Sequence, residues 1–315
     1  MRPDFFIVGA PRCGTTSLYH YLGQHPQVQM STRKEPGFFH FVDAATQPNF
    51  AELSRTLGQE HADESKKNYQ RARAMAITER KGYQLLWSPA SSERRRGEAT
   101  PTYLFDRRAL ESIRRELPTA KALVILRNPV ERAYSEYLQL LRKGVEPLDT
   151  FANALDREPD AVDEFWWGAR SYVRSGLYAD RLEHCLTLFG QQGVRVILTE
   201  DLAARPVETL QEVAGFLAVD PSFDGFDTSM RHKPGFVPRP DLAVRVARSP
   251  GLLRAVARTV IPGSVRSWLW KQVMGRHKIS PPPLDEASRQ RLADRFRAST
   301  QRLEELIDRD LSHWS

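Results

Sequence analysis

The chain has 315 residues, of which 41% are hydrophobic, with two cysteines and a formal net charge of +7; its isoelectric point is near 9.5 and its mean hydropathy is −0.50. That size suits one large α/β domain, or one domain with a small appendage, with apolar content enough for a sizeable core. Cys13 and Cys185 are too few for a disulfide framework, no Cys-x-x-Cys pair or Cys/His cluster points to zinc, and no run of 18 apolar residues offers a membrane span. The basic balance fits an anionic ligand without choosing between nucleotide, nucleic acid and acidic glycan.

The pattern predicts a strand over 4–9, a turn bounded by Gly9 and Gly14, and a helix over about 15–24 opened by Thr15, Thr16 and Ser17. An apolar strand leading through a glycine-bounded loop into a helix aims backbone N–H groups and a helix N-terminus at an anion. A triphosphate-binding loop would read G-x-x-x-x-G-K-[ST], its Lys reaching the β- and γ-phosphates. Here Thr15 stands where that Lys belongs, and the cation has moved inside the loop, to Arg12. The loop suits a phosphate-like group but lacks the part that handles a triphosphate. Cys13 reads as a small buried residue. Because the first strand begins by about Asp4, no signal peptide or anchor is expected, and a reducing cytoplasm is the expected compartment.

Residues 26–30 read as a short second strand, followed directly by Lys34-Glu35-Pro36-Gly37-Phe38-Phe39. Polar residues 44–82, with helical stretches around 49–58 and 65–79, resemble an insertion. Arg94-Arg95-Arg96 reads as a hydrated surface run, and Gly97-Glu98-Ala99-Thr100-Pro101 as the lead into a helix near 106–117. A strand over 121–126 breaks at Arg127-Asn128-Pro129 into a helix over 129–142, on which Ser135 faces back towards Arg127. An arginine and a hydroxyl converging from two elements make a second anion site. A loop-rich region (143–175, with Trp166 and Trp167), a helix at 176–189, a strand at 194–198 and a helix at 206–217 complete an alternating β/α series, the pattern of a parallel sheet. Pro, Gly and Arg punctuate 220–241. Residues 242–275, with Trp268 and Trp270, read as a helical lid or a membrane-surface helix. In the last helix Leu292, Phe296, Leu303, Leu306 and Ile307 recur at core-facing spacing.

With these anchors in order, the chain resembles the sulfotransferases that use 3′-phosphoadenosine 5′-phosphosulfate (PAPS), in particular the branch of the Golgi heparan-sulfate enzymes and their bacterial relatives. Residues 9–17 resemble that family's 5′-phosphosulfate loop, Arg127 and Ser135 its 3′-phosphate site, and Lys34 to Phe39 its K-E-x-x-F-F segment, whose Glu is the catalytic base. Residues 97–103 and the terminal Arg309-Asp310-Leu311-Ser312-His313-Trp314 also follow the family pattern. The resemblance implies a single domain over 1–315, with a P-loop-like three-layer fold, a central parallel sheet between helices and a helical C-terminal lid. Segments 44–82, 143–175 and 242–275 become acceptor-side insertions or lid.

The implied reaction moves a sulfuryl group from PAPS to an acceptor hydroxyl or amine and releases the 3′,5′-bisphosphate (PAP), by an in-line path that parallels phosphoryl transfer. It implies Glu35 as general base, Arg12 and Lys34 as charge stabilisers, and Arg12, Cys13, Gly14, Thr15, Thr16, Ser17, Arg127, Ser135, Lys233 and Arg239 around the cofactor, with Arg231 in the same loop. His40 and Glu98 become candidates for contact with a small-molecule, sugar or lipid acceptor, with a satisfied structural histidine the alternative reading of His40. No metal and no nucleic-acid partner are expected. Many family members carry Lys where this chain has Arg12, whereas the tyrosylprotein sulfotransferases resemble it in having Pro-Arg. A guanidinium keeps its proton, so Arg12 suits electrostatic stabilisation better than proton donation. The animal glycan enzymes have a Lys in the segment matching 97–103, where this chain has Ala99, so acceptor contacts there differ; their disulfide is absent too. A P-loop kinase or NTPase is the competing enzyme class, disfavoured by Thr15. A nucleic-acid-binding module lacks a recognition motif or dominating basic run.

Overall fold

The structure, a computed structural model, describes residues 2–42, 49–88, 94–143, 146, 150–156, 158, 171–229, 237–238, 278–279, 281 and 283–314. Trp166, Trp167, Arg231, Lys233, Arg239 and the segment 242–275 lie outside them.

Five strands form one sheet: β1 (Phe5–Gly9), β2 (Val28–Met30), β3 (Arg95–Ala99), β4 (Lys121–Leu126) and β5 (Val194–Leu198), in the order β2-β3-β1-β4-β5. Every pairing in it is parallel. β1 and β4 are buried along almost their whole length, as a parallel sheet covered on both faces requires. The helices among the described residues are α1 (Thr15–Leu22), α2 (Phe50–Leu57), α3 (Gln59–Met75), α4 (Arg80–Gln84), α5 (Arg107–Glu116), α6 (Pro129–Lys143), α7 (Phe151–Asp156), α8 (Ala179–Phe189), α9 (Thr199–Ala204), α10 (Pro206–Leu217) and α11 (Glu286–Ile307). The expected three-layer, P-loop-like architecture is present. Helix α8 packs against α5 and α11, and α11 also meets α6. Leu292, Phe296 and Leu303 of α11 are buried, while Leu306 and Ile307 are partly buried against the core.

The sequence marks several helix starts through side chains that bond the first turn. Asn49 accepts from the Glu52 amide (3.2 Å), Asp106 from Ala109 (3.2 Å) and Asp285 from Ser288 (2.8 Å). Asn128 does the same for α6, accepting from Val130 at 2.9 Å, with Pro129 as the first helical residue.

Strand β3 corrects the sequence reading. Arg-Arg-Gly-Glu-Ala has no apolar run, yet it lies between β2 and β1. Arg96 is no hydrated surface cation: its amide and guanidinium bond the Asp4 carboxylate at 2.8 and 3.1 Å. Gly97 leaves room for large neighbours, because a Cβ there would meet the Phe5 ring, and the Met30 sulfur at 2.5 Å. The insertion forms α2 and α3, packed on each other, and rejoins the body where the Ile77 amide donates to the Pro36 carbonyl at 2.8 Å.

Gly97→Ala overpacks the sheet where Phe5 and Met30 close over it, so it is expected to cost about 1–3 kcal/mol. Urea unfolding of the two proteins measures this directly, with a lower midpoint and an unchanged slope.

Candidate active site

Parallel pairing sends the carboxyl end of every strand to one edge, where ligands of open α/β sheets bind. After β1 the chain turns through Ala10, Pro11, Arg12 and Cys13. The Ala10 amide donates to the Ile125 carbonyl of β4 (2.8 Å), and Cys13 to Ala10 (3.2 Å). Gly14 then precedes α1 with φ of 90°, a left-handed conformation natural to glycine, and no side chain bonds the first-turn amides. Helix α1 has no acidic residue in its first turn. Its N-terminal N–H groups and partial positive charge therefore stay available to an anion.

Gly14, Thr15, Thr16 and Ser17 line a cavity of about 930 Å³ whose opposite wall is α6, through Glu131, Tyr134, Ser135, Leu138, Gln139 and Arg142. Arg12 and Arg127 also border it. Arg127 is delivered by the end of β4 and pairs loosely with Glu131 at 3.6 Å. Arg12 crosses the cavity. Its Nη2 and Nε donate to the Ser135 hydroxyl at 2.8 and 3.2 Å. Burial first, then the Arg142 guanidinium, pull Arg12 below the ordinary arginine range; Glu136 opposes this, and Arg127 and Arg132 add to the depression. Like charges crowded in this way are chemistry suited to a polyanion. The neighbouring Arg132 is different: it is fully buried and bonded to Glu136 (2.5 Å) and to the Ser171 (3.1 Å) and Tyr172 carbonyls.

Residues without a sequence signature hold this loop in place. The Thr199 hydroxyl, at the start of α9, lies 2.7 Å from the Cys13 carbonyl and 2.8 Å from that of Leu126. The Tyr178 hydroxyl donates to the Arg127 carbonyl (3.0 Å) and lies 3.5 Å from the Cys13 sulfur. Thr199 follows the last strand of the sheet, so the strand-end rule alone could have singled it out; Tyr178 had no such signal. Arg142 lies two helical turns beyond Ser135 on the same face, a spacing that could have flagged it.

The Glu35 backbone sits on the same edge. Its amide donates to the Ala99 carbonyl at 2.8 Å, and Ala99 pairs with Ile7 of β1. Glu35 has φ of 59° and Arg12 of 70°. Among the described residues only two other non-glycine residues are left-handed, Ala218 and Asp308, and each closes a helix. The Glu35 and Arg12 conformations have no such capping explanation, and strained backbone of this kind clusters at functional sites. The Glu35 side chain is 58% exposed and paired with the Lys34 ammonium, itself 19% exposed. Neither borders the cavity, which the sequence reading had not separated from them.

Three expected contacts take other roles. Cys13 is fully buried, and burial pushes its thiol up to about 11. With its amide and carbonyl also engaged, it shapes the loop and does not border the cavity. His40 is buried, its Nδ1 2.7 Å from Asp106 and its Nε2 2.9 Å from the Thr102 hydroxyl. Glu98 is wholly buried under Tyr83, Thr100 and Tyr103. Neither His40 nor Glu98 is placed to touch an acceptor. Lys233 and Arg239 fall outside the described residues. Among those residues no cluster of three or more His, Cys, Asp or Glu is arranged for a metal, and no helix is long and apolar enough to cross a membrane.

Residues 3–224 match the model of the Sulfotransferase family. Carbohydrate sulfotransferase 15 of Rattus norvegicus is 28% identical over 269 residues, covering 74% of this chain and 46% of that protein. Heparan sulfate glucosamine 3-O-sulfotransferase 6 of Homo sapiens is 30% identical over 217 residues, covering 69% of this chain and 52% of its own length. The chain thus spans about half the length of the curated relatives it matches. The crystal structure of a sulfotransferase from Alicyclobacillus acidocaldarius superposes over 100% of this chain and 99% of its own, with TM-score 0.67 and 29% identity. The chain belongs to the sulfotransferase family.

Proposed function

We propose that this protein transfers a sulfuryl group from PAPS to a hydroxyl or amine of a sugar, lipid or small-molecule acceptor. The observation that carries the proposal is one cavity bordered by two groups suited to anions: the uncapped N-terminus of α1 on one side, and Arg127 with Ser135 on the other. A bisphosphorylated nucleotide spans such a pair, and a volume of about 930 Å³ is in the range of cofactor sites. Gly14, Thr15, Thr16 and Ser17 would hold the 5′-phosphate by amides and hydroxyls, and Arg127 and Ser135 the 3′-phosphate. When bound, PAPS supplies the activated sulfuryl group. By family resemblance Lys233 and Arg239, which lie outside the described residues, would complete the set.

Glu35, at the same strand edge and held in a left-handed turn, takes the acceptor's proton; such a step is worth about 10²–10⁴-fold. It must first exchange its Lys34 partner for the acceptor, which its exposure permits. Lys34, released, supplies positive charge at the reacting end. Arg12 neutralises the cofactor from the loop that carries it, and Ser135 fixes where that charge sits. The α2–α3 hairpin ends against Pro36, which supports reading it as an acceptor-side insertion in a single domain. Both cysteines are buried and free, which suits a reducing cytoplasm.

Thermal unfolding with ligands tests the class. PAP should raise the midpoint strongly and ATP with magnesium should not; the reverse would move the chain to the kinase reading. Roles are tested with labelled PAPS and a panel of glycosaminoglycan, long-chain alcohol, phenol and amine acceptors, read by mass. Glu35→Ala should lose about 10²–10⁴-fold in turnover with PAP affinity within a few-fold. Arg127→Ala should chiefly lose PAP affinity. A Glu35 variant as active as the parent would remove Glu35 from the base role.

A further inference from the structure

The segment carrying Glu35 is suspended from β3 and the turn that follows it by three backbone amides. Glu35 N–H donates to the Ala99 carbonyl (2.8 Å), Gly37 N–H to the Thr100 hydroxyl (3.4 Å) and Phe39 N–H to the Tyr103 hydroxyl (3.1 Å). Both hydroxyls turn in the other direction to Glu98. Thr100 donates to Oε1 at 2.6 Å and Tyr103 to Oε2 at 3.5 Å, with Tyr83 donating to the same Oε2. Glu98 is 0% exposed, and the Tyr83 and Tyr103 side chains are also buried.

A carboxylate only accepts, whereas a hydroxyl has one proton and two lone pairs. When Glu98 is ionised, Thr100 and Tyr103 must point their protons at it, which leaves their lone pairs facing Gly37 and Phe39. A protonated Glu98 donates into the same cluster and competes for those lone pairs. We propose that Glu98 is a positioning residue for Glu35: its buried carboxylate orients the Thr100 and Tyr103 hydroxyls that hold the 37–39 backbone. The proposal rests on Glu35 being the base, but its structural half stands apart from that reading.

Burial pushes Glu98 up to about 7, against the opposing bonds from Thr100, Tyr83 and Tyr103. The groups facing it are Tyr83 from α4 and Thr100 and Tyr103 from the turn after β3; Glu116 acts on Tyr83, and the His40 ring lies 4.7 Å from that of Tyr103. An acid raised in this direction is expected to change protonation closer to neutral pH than an ordinary glutamate.

Amide hydrogen exchange over 34–41, corrected for the intrinsic pH dependence, tests this without an acceptor. In the parent, protection of this segment should rise about ten-fold between pH 6 and 8 as Glu98 ionises. Glu98→Gln should abolish that rise and leave the segment at its low-pH protection. Thr100→Val and Tyr103→Phe should lower protection if the Gln variant does not fold, and Thr100→Ser should restore it. With an acceptor from the panel, Glu98→Gln should lose about ten-fold in kcat at pH 8 and keep PAP affinity within two-fold. Parent-like exchange in the Gln, Val and Phe variants would overturn the positioning role even if Glu35 is the base. Full activity of Glu35→Ala would overturn the base assignment and leave the exchange result standing.

Discussion

Parallel strand pairing is the constraint on which the rest depends. Because β2, β3, β1, β4 and β5 all run the same way, the residues that leave their carboxyl ends meet on one edge: Glu35, Thr100, Arg12, Arg127 and Thr199. Segments far apart in sequence thus become neighbours without any contact designed between them. The contacts that do exist refine this convergence. Ala10 bonds β4, Thr199 bonds the carbonyls of Cys13 and Leu126, and Tyr178 bonds that of Arg127. The sheet brings the groups near each other, and these side-chain bonds fix their directions.

Much of this was legible in the sequence where a segment obeys one local rule. β1 and β4 are apolar runs, α6 opens on Asn128 and Pro129, and Gly14 ends a loop that leads into hydroxyl residues. Each signal is local, and each survives folding. β3 was not legible because its fit is tertiary. Gly97 is there for the room that Phe5 and Met30 need, and Glu98 is a buried acid that only its three hydroxyl partners explain. His40 takes the structural one of its two readings for a related reason: Asp106 both caps α5 and binds its ring, so one carboxylate serves helix and core together. Tyr178 carries no motif, Arg142 is marked only by its spacing from Ser135, and Lys233 and Arg239 fall outside the described residues.

Glu98 also shows how function and stability pull apart within one fold. Its carboxyl is raised in the folded state to about 7, above the ordinary glutamate value. The folded state therefore holds this proton more tightly than the unfolded chain. Its contribution to stability is fully present at low pH and is lost as pH rises through about 7. On the positioning argument, the ionised form is the one that orients the Glu35 segment. The working form is then the less stable one, a trade commonly found where a site needs a buried charge. The three hydroxyl donors limit that cost, since without them the carboxyl would be pushed higher still.

The Arg12–Ser135 pair lies within the proposed 3′-phosphate site. Ser135 belongs to the proposed 3′-phosphate site, yet its oxygen already accepts from Arg12 Nη2 and Nε. Those bonds use only the acceptor side of the hydroxyl. Its proton is left to donate to a phosphate oxygen, which accepts and never competes for the same lone pairs. A bound phosphate would thus extend the pair into a chain running from guanidinium to hydroxyl to phosphate. It would also relieve the repulsion that Arg142 and Arg127 exert on Arg12. A lysine at position 12 would offer a single strongly hydrated point charge in place of the fork. The fork lets two donors converge on one hydroxyl from a loop residue whose backbone is already fixed at φ of 70°. The Arg12–Ser135 contact would thus hold Arg12 ready for the anion.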